Sequence, residues 1–293
     1  MPNVTANGIQ IEYDTFGDGS SPALLLVMGL GTQMIAWRDE FCEFLAAKGH
    51  FVVRFDNRDI GLSTKLEEAG IPDIVSTMTA LMEGKPVEPP YTLNDMADDA
   101  VGLLDALSIG KAHICGASMG GMIVQNMACR HPTRVLSLTS IMSTTGNPGL
   151  PQGKPEAMAA LTTPAPDGRD AIIENGVHVV RTIGSTGFPF DEEMTRRFSA
   201  EAYDRSYYPQ GMARQMVAIV AQEDRRPSLA GVKVPTLVIH GDADPLVPVE
   251  GGIDTADSIP GAELLIIEGM GHDMPTGAWP QIIDGISAVT SRA

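Results

Sequence analysis

Ala112-His-Ile-Cys-Gly-Ala-Ser118-Met-Gly-Gly-Met122 is the stretch whose reading decides the fold. An apolar run closes on small residues, a serine follows, and two glycines open a helical pattern that ends at His131-Pro132. A strand that turns sharply at serine and leaves as a helix is the nucleophile-elbow arrangement, with Gly116 and Gly120 framing Ser118. Glycine is expected at both frame positions because a Cβ there would strike the neighbouring strand or helix. A phosphate-cradling turn would instead carry lysine after its glycines, or the dinucleotide spacing, and neither is present.

The surroundings of the elbow read as alternating strands and helices. Ala23 to Met28 is a continuous apolar run, as expected of a strand covered on both faces, and Phe51–Phe55 reads as the next strand. Further strands are predicted at 111–115, 135–142, 235–240 and 262–267, with a half-exposed hairpin over 4–15, where apolar and polar residues alternate. Helices are predicted over 37–47, 93–107, 253–258 and 279–289, and residues 65–90 read as a loop with one short helix at 74–82. Between 143 and 230 the strand rhythm stops, and helical stretches at 155–161, 169–183, 191–207 and 211–222 replace it. The expectation is an α/β core, residues 1–142 and 231–293, interrupted by a helical cap or lid at 143–230.

Composition narrows the function classes. A chain of 293 residues can bury a sizeable core, and its net charge of −17 without a basic cluster argues against nucleic acid and anionic membrane surfaces. No apolar run approaches the roughly 20 residues a membrane helix needs. The start, Met1 to Gly8, lacks a basic region followed by an apolar one, so a cytoplasmic location is the expectation. Cys42, Cys115 and Cys129 are odd in number and sit in apolar contexts, which predicts buried reduced thiols and neither a disulfide frame nor a metal site. Oligomeric state is left open, a homodimer included.

Ligands of a parallel sheet gather at the carboxyl ends of its strands, and two more loops fall there. One is His240-Gly-Asp-Ala-Asp244-Pro-Leu-Val-Pro248; the other is Glu268-Gly-Met-Gly-His272. A serine hydroxyl becomes a useful nucleophile when histidine takes its proton, and that histidine needs a carboxylate to set its tautomer. Ser118, Asp244 and His272 are the candidates. Asp244 is preferred to Asp242, which reads as a turn residue bonding its own loop, and Asp273 is expected to be solvated. The backbone N–H groups of Met119 and of Leu30, in Gly29-Leu30-Gly31, are the candidate oxyanion donors.

These features, with Leu24-Leu-Leu-Val-Met-Gly-Leu30, the Asp56–Ser63 loop and Ser185-Thr-Gly-Phe-Pro-Phe-Asp191, resemble the α/β-hydrolase superfamily, and within it the aclacinomycin methylesterases and related carboxylesterases. The resemblance implies an eight-stranded, mostly parallel sheet with helices on both faces, a triad of Ser118, Asp244 and His272, and hydrolysis of a small-molecule ester without metal or organic cofactor. The chain departs from the pattern at Met28-Gly29, where many members carry His-Gly, and in a longer 65–90 segment. Gly29, Met158, Phe188 and Met212 are candidate pocket residues. Lactone hydrolysis, C–C bond hydrolysis, cofactor-free perhydrolysis and a slow-turnover ligand receptor are the alternatives on the same frame.

Overall fold

The computed structural model describes residues 2–293 except 84, 86 and 165, and all described side chains except those of residues 75, 78, 81 and 82. The loop reading at 84 and 86 and the cap reading at 165 therefore lie outside the described residues.

The sheet starts with a hairpin of β1 (Asn3–Ala6) and β2 (Ile9–Phe16). Asn7 and Gly8 join the two strands, both at positive φ (48° and 80°), which a two-residue hairpin turn of matching twist demands. Then come β3 (Ala23–Val27), α1 (Asp39–Ala47), β4 (Phe51–Phe55), α2 (Ile74–Met82) and α3 (Leu93–Ala106). The elbow strand is β5 (Ala112–Ala117), followed by α4 (Met119–Arg130) and β6 (Val135–Ile141). Among the described residues, five helices follow without a strand: α5 (Pro155–Thr162), α6 (Arg169–Ile183), α7 (Glu192–Arg205), α8 (Pro209–Val220) and α9 (Arg226–Leu229). The chain closes with β7 (Thr236–Gly241), α10 (Glu250–Ser258), β8 (Glu263–Ile267) and α11 (Trp279–Thr290).

All eight strands form one sheet in the order β1-β2-β4-β3-β5-β6-β7-β8, antiparallel at β1–β2–β4 and parallel from β4 onward. Helices α1 and α11 cover one face, where Phe41, Leu45, Ile282 and Ile286 meet Leu24 and Leu26. Helices α3 and α4 cover the other, where Leu103, Leu104, Ile123 and Met127 meet Leu25 and Ile114. Two-sided cover explains why every residue of β3, β5 and β7 is buried and why β3 reads as an unbroken apolar run. A capping box starts α3: the Thr92 hydroxyl accepts from the Asp95 N–H, while the Asp95 carboxylate accepts from the Thr92 N–H.

Four details differ from the sequence expectation. Trp37 lies after a single 3-10 turn at 34–36, so α1 begins two residues later. The elbow strand runs on to Ala117, directly before Ser118. Leu264 and Ile266 of β8 are 39% and 38% exposed, β8 being the edge strand of the sheet. Cys42 and Cys115 are buried, with the Cys42 thiol pushed up to about 12 by burial, but Cys129 is only partly so. Among the described residues no helix is long and apolar enough to cross a membrane.

A buried histidine pair sits on the sheet at the amino-terminal side. His50 and His113 rings lie 5.6 Å apart, His113 bonding the Ser137 hydroxyl at 2.8 Å and His50 the Thr290 hydroxyl at 3.2 Å. Burial, and then the neighbouring His50, depresses His113 to about 4, and burial lowers His50. Unfolded histidine titrates near 6.5, so the unfolded chain binds more protons between those values and stability falls as pH drops through that window. Thermal melting is expected to decline from about pH 6.5 towards pH 4, and His113→Asn to flatten the decline; an unchanged slope in that variant would sink the assignment.

Candidate active site

Ser118 follows β5 directly and caps α4 with φ 56° and ψ −121°, a strained conformation for a residue with a side chain. Neighbours hold it there. Its N–H donates to the Ile141 carbonyl at 2.9 Å, and its carbonyl accepts from the Ser143 hydroxyl at 2.8 Å. A Cβ on Gly116 would overlap the Gly120 carbonyl, and one on Gly120 would overlap the Val27 carbonyl. The two glycines therefore allow the strand and helix to close tightly enough to project the serine side chain.

His272 reaches the same point from the loop after β8. Its Nε2 is 2.9 Å from Ser118 Oγ and its Nδ1 is 2.7 Å from Asp244 Oδ2. The carboxylate on Nδ1 fixes the proton there and leaves the Nε2 lone pair facing the serine hydroxyl. Asp244 is oriented in turn by the N–H groups of Leu246 and Val247, each 2.9 Å from Oδ1. Its Oδ2 also lies 3.5 Å from Nε2 of buried His240, which donates to the Val247 carbonyl. Burial alone would raise this carboxyl, but His272 and these hydrogen bonds hold it well below the ordinary carboxylate range. Asp242 instead accepts from the Gly269 N–H at 2.7 Å, tying the two loops together.

The Leu30 N–H has no acceptor among the described residues, and Met119 is the first residue of α4, where N–H groups have no intrahelical partner. Gly29 packs on Ser118: a Cβ there would stand 3.1 Å from the serine Cβ. These two N–H groups are the candidate oxyanion donors, one on the residue after Gly29 and one on the residue after the nucleophile.

Of the other candidate pocket residues, Met212 lies over Gly31, Met158 lies beside Gly153 near the loop of Asp244, and Phe188 packs against Gly277. An apolar groove of about 910 Å³ runs outside this site between α1, α11 and helices α6 and α7, lined by Phe44, Phe198 and Trp279. Ser118 and His272 do not line it. Among the described residues no group of three or more His, Cys, Asp or Glu side chains could hold a metal ion.

Three arrangements escape a reading of the sequence. Buried Gln215 of α8 accepts from the Gly31 N–H and donates to the Arg58 carbonyl, each at 2.9 Å, pinning the loop of Leu30. Arg214 makes a two-bond ion pair with Asp59 at 2.8 Å, both side chains buried. Asp273 corrects the expectation of a solvated carboxylate: it is partly buried and accepts from the Ser185 N–H and hydroxyl. A hint existed for the last, since Ser185-Thr-Gly was singled out as a motif, but its partner is 88 positions away.

A hydroxyl, an imidazole and a carboxylate bonded in that order at the ends of parallel strands define the chemistry of a serine hydrolase. The chain belongs to the α/β-hydrolase family, whose fold matches residues 22–275. It is similar to the rhodomycin D methylesterase of Streptomyces sp. (strain C5), with 30% identity across 99% of this chain and 98% of that protein. It is also similar to a 3-oxoadipate enol-lactonase of Acinetobacter baylyi, 28% identical over 90% of this chain and 87% of that one. In three dimensions it resembles the enol-lactonase of Burkholderia xenovorans, with a TM-score of 0.75 and 24% identity, covering 99% and 100% of the two chains. The chain is an enzyme of the serine-hydrolase class.

Proposed function

We propose that the chain hydrolyses small to medium apolar carboxylic esters through an acyl-enzyme on Ser118. The reading is carried by the 2.9 Å bond between Ser118 Oγ and His272 Nε2, backed by the 2.7 Å bond from His272 to Asp244. Ser118 Oγ attacks the ester carbonyl while its proton passes to His272. The tetrahedral oxyanion is held by the Leu30 and Met119 N–H groups, each such donor typically worth about 10²–10³ in turnover. His272 then protonates the departing alkoxide, the C–O bond breaks, and the acyl group stays on Ser118. Water, deprotonated by the same imidazole, attacks the acyl carbonyl and returns the serine and a carboxylic acid. Asp244 remains ionised throughout, which stabilises the imidazolium. The proposed steps use neither metal nor organic cofactor.

Residues 143–230 are proposed to act as a cap on a core of residues 1–142 and 231–293. Gly29 and Met212 would form the pocket wall next to the nucleophile, with Met158 and Phe188 further candidates. Similarity to a methylesterase along nearly the whole chain supports a small alcohol as leaving group. Similarity to an enol-lactonase supports a second reading, a cyclic ester opened by the same steps.

A fluorophosphonate probe and p-nitrophenyl esters from acetate to decanoate, with a lactone in parallel, test the proposal. Labelling at Ser118 and multiple turnover with an optimum at short to medium chains are expected. Faster lactone opening would favour the second reading, and near-single turnover would replace the enzyme with a slow receptor.

A further inference from the structure

Glycines precede the candidate base: His272 follows Gly269-Met270-Gly271, and Gly269 sits at φ 70°. Such a loop has many accessible conformations, yet proton transfer needs the imidazole held within a fraction of an ångström of its working position. Backbone spacing gives part of the answer. A Cβ on Gly271 would overlap the Gly184 backbone, and one on Gly269 would stand 2.5 Å from Gly187 Cα. The loop is pressed against the turn that follows α6.

Hydrogen bonds between loop and turn supply the rest. The Gly269 carbonyl accepts from the Thr186 and Gly187 N–H groups at 3.0 and 2.8 Å, and the His272 N–H donates to the Ile183 carbonyl at 2.7 Å. At the centre, the Gly271 N–H donates to Ser185 Oγ at 2.9 Å, and that hydroxyl donates to Asp273 Oδ1 at 2.5 Å. The Ser185 N–H donates to the same oxygen at 2.9 Å. Ser185 and Asp273 thereby grip the residues on either side of His272 at once.

We propose that Ser185 and Asp273 are positioning residues, clamping the His272 loop to the turn after α6 so that the imidazole stays aligned on Ser118. The proposal rests on His272 being the general base. It makes the 183–187 turn part of the catalytic support.

The test uses the full chain carrying Ser185→Ala, Asp273→Ala or Asp273→Asn. It measures kcat and KM on a p-nitrophenyl ester, the rate of Ser118 labelling by a fluorophosphonate, and thermal melting. Both alanine variants are expected to lose about 10- to 100-fold in kcat, the scale of a misplaced catalytic group. KM should stay within about twofold, and the labelling rate should fall in parallel with kcat. Asp273→Asn keeps an oxygen that can accept from Ser185, so it should recover most of the activity. Wild-type kcat in Ser185→Ala, a loss confined to KM, or an Asn variant as slow as the Ala variant would each overturn the positioning role. Should an alanine variant not fold, Ser185→Cys replaces it; a reduced kcat supports the clamp and an unchanged one overturns it. Absence of Ser118 labelling in the unmodified enzyme would overturn the triad reading itself, whereas labelling at one rate in all variants overturns the clamp alone.

Discussion

Ser118→Ala is expected to lower kcat on a p-nitrophenyl ester by about 10⁴- to 10⁶-fold, since loss of the nucleophile removes the covalent route entirely. A residue of activity, about 10³-fold over water, should survive through the oxyanion donors and substrate binding. Stability should barely change: among the described residues, Ser118 Oγ bonds only His272, and the backbone that carries the strain is unaltered in alanine. Steady-state kinetics beside a melting curve separates the two effects. Turnover near the wild-type value in a folded variant would remove Ser118 from the chemistry.

Asp59→Ala is expected to act on stability. Arg214 and Asp59 are both essentially without solvent contact, and removing the acid leaves a guanidinium buried without its counter-charge. Breaking such a pair costs about 3–5 kcal/mol, which at this chain length corresponds to a fall of roughly 5–8 °C in Tm. Replacing both partners by apolar residues, Asp59→Leu with Arg214→Met, should cost less than Asp59→Ala alone, because no charge is then stranded. A melting temperature in Asp59→Ala within a degree or two of wild type would refute the anchoring role. The pair joins the Asp56–Ser63 loop of the core to α8, and Gln215, next to Arg214, bonds the Gly31 N–H beside the proposed oxyanion donor. Loss of the ion pair should therefore also disturb turnover below the melting point.

Much of the fold was open to reading because its signals are local. The run at 23–28 is apolar throughout because helices cover both faces of its strand, and Gly116 leaves room for the Gly120 carbonyl only four residues on. The helical break between β6 and β7 showed itself as a loss of strand periodicity over many residues. The exposure of β8 was not readable, because an edge strand and a central one have the same composition here and differ only in what covers them.

Sequence alone determined the alternation of elements, the small residues that the elbow requires, and the chain order of serine, aspartate and histidine on three strand-end loops. Tertiary structure decided which groups meet: the 2.9 and 2.7 Å contacts of His272, the Ser185–Asp273 clamp, the Gln215 bond to Gly31 and the buried pair of Asp59 with Arg214. The physical reason is range. Propensity and periodicity act over a turn or a few residues of strand, whereas these polar contacts join positions 28 to 184 residues apart. Their partners are selected by the packing of helices against the sheet, and a single buried hydrogen bond leaves no repeating mark on the chain.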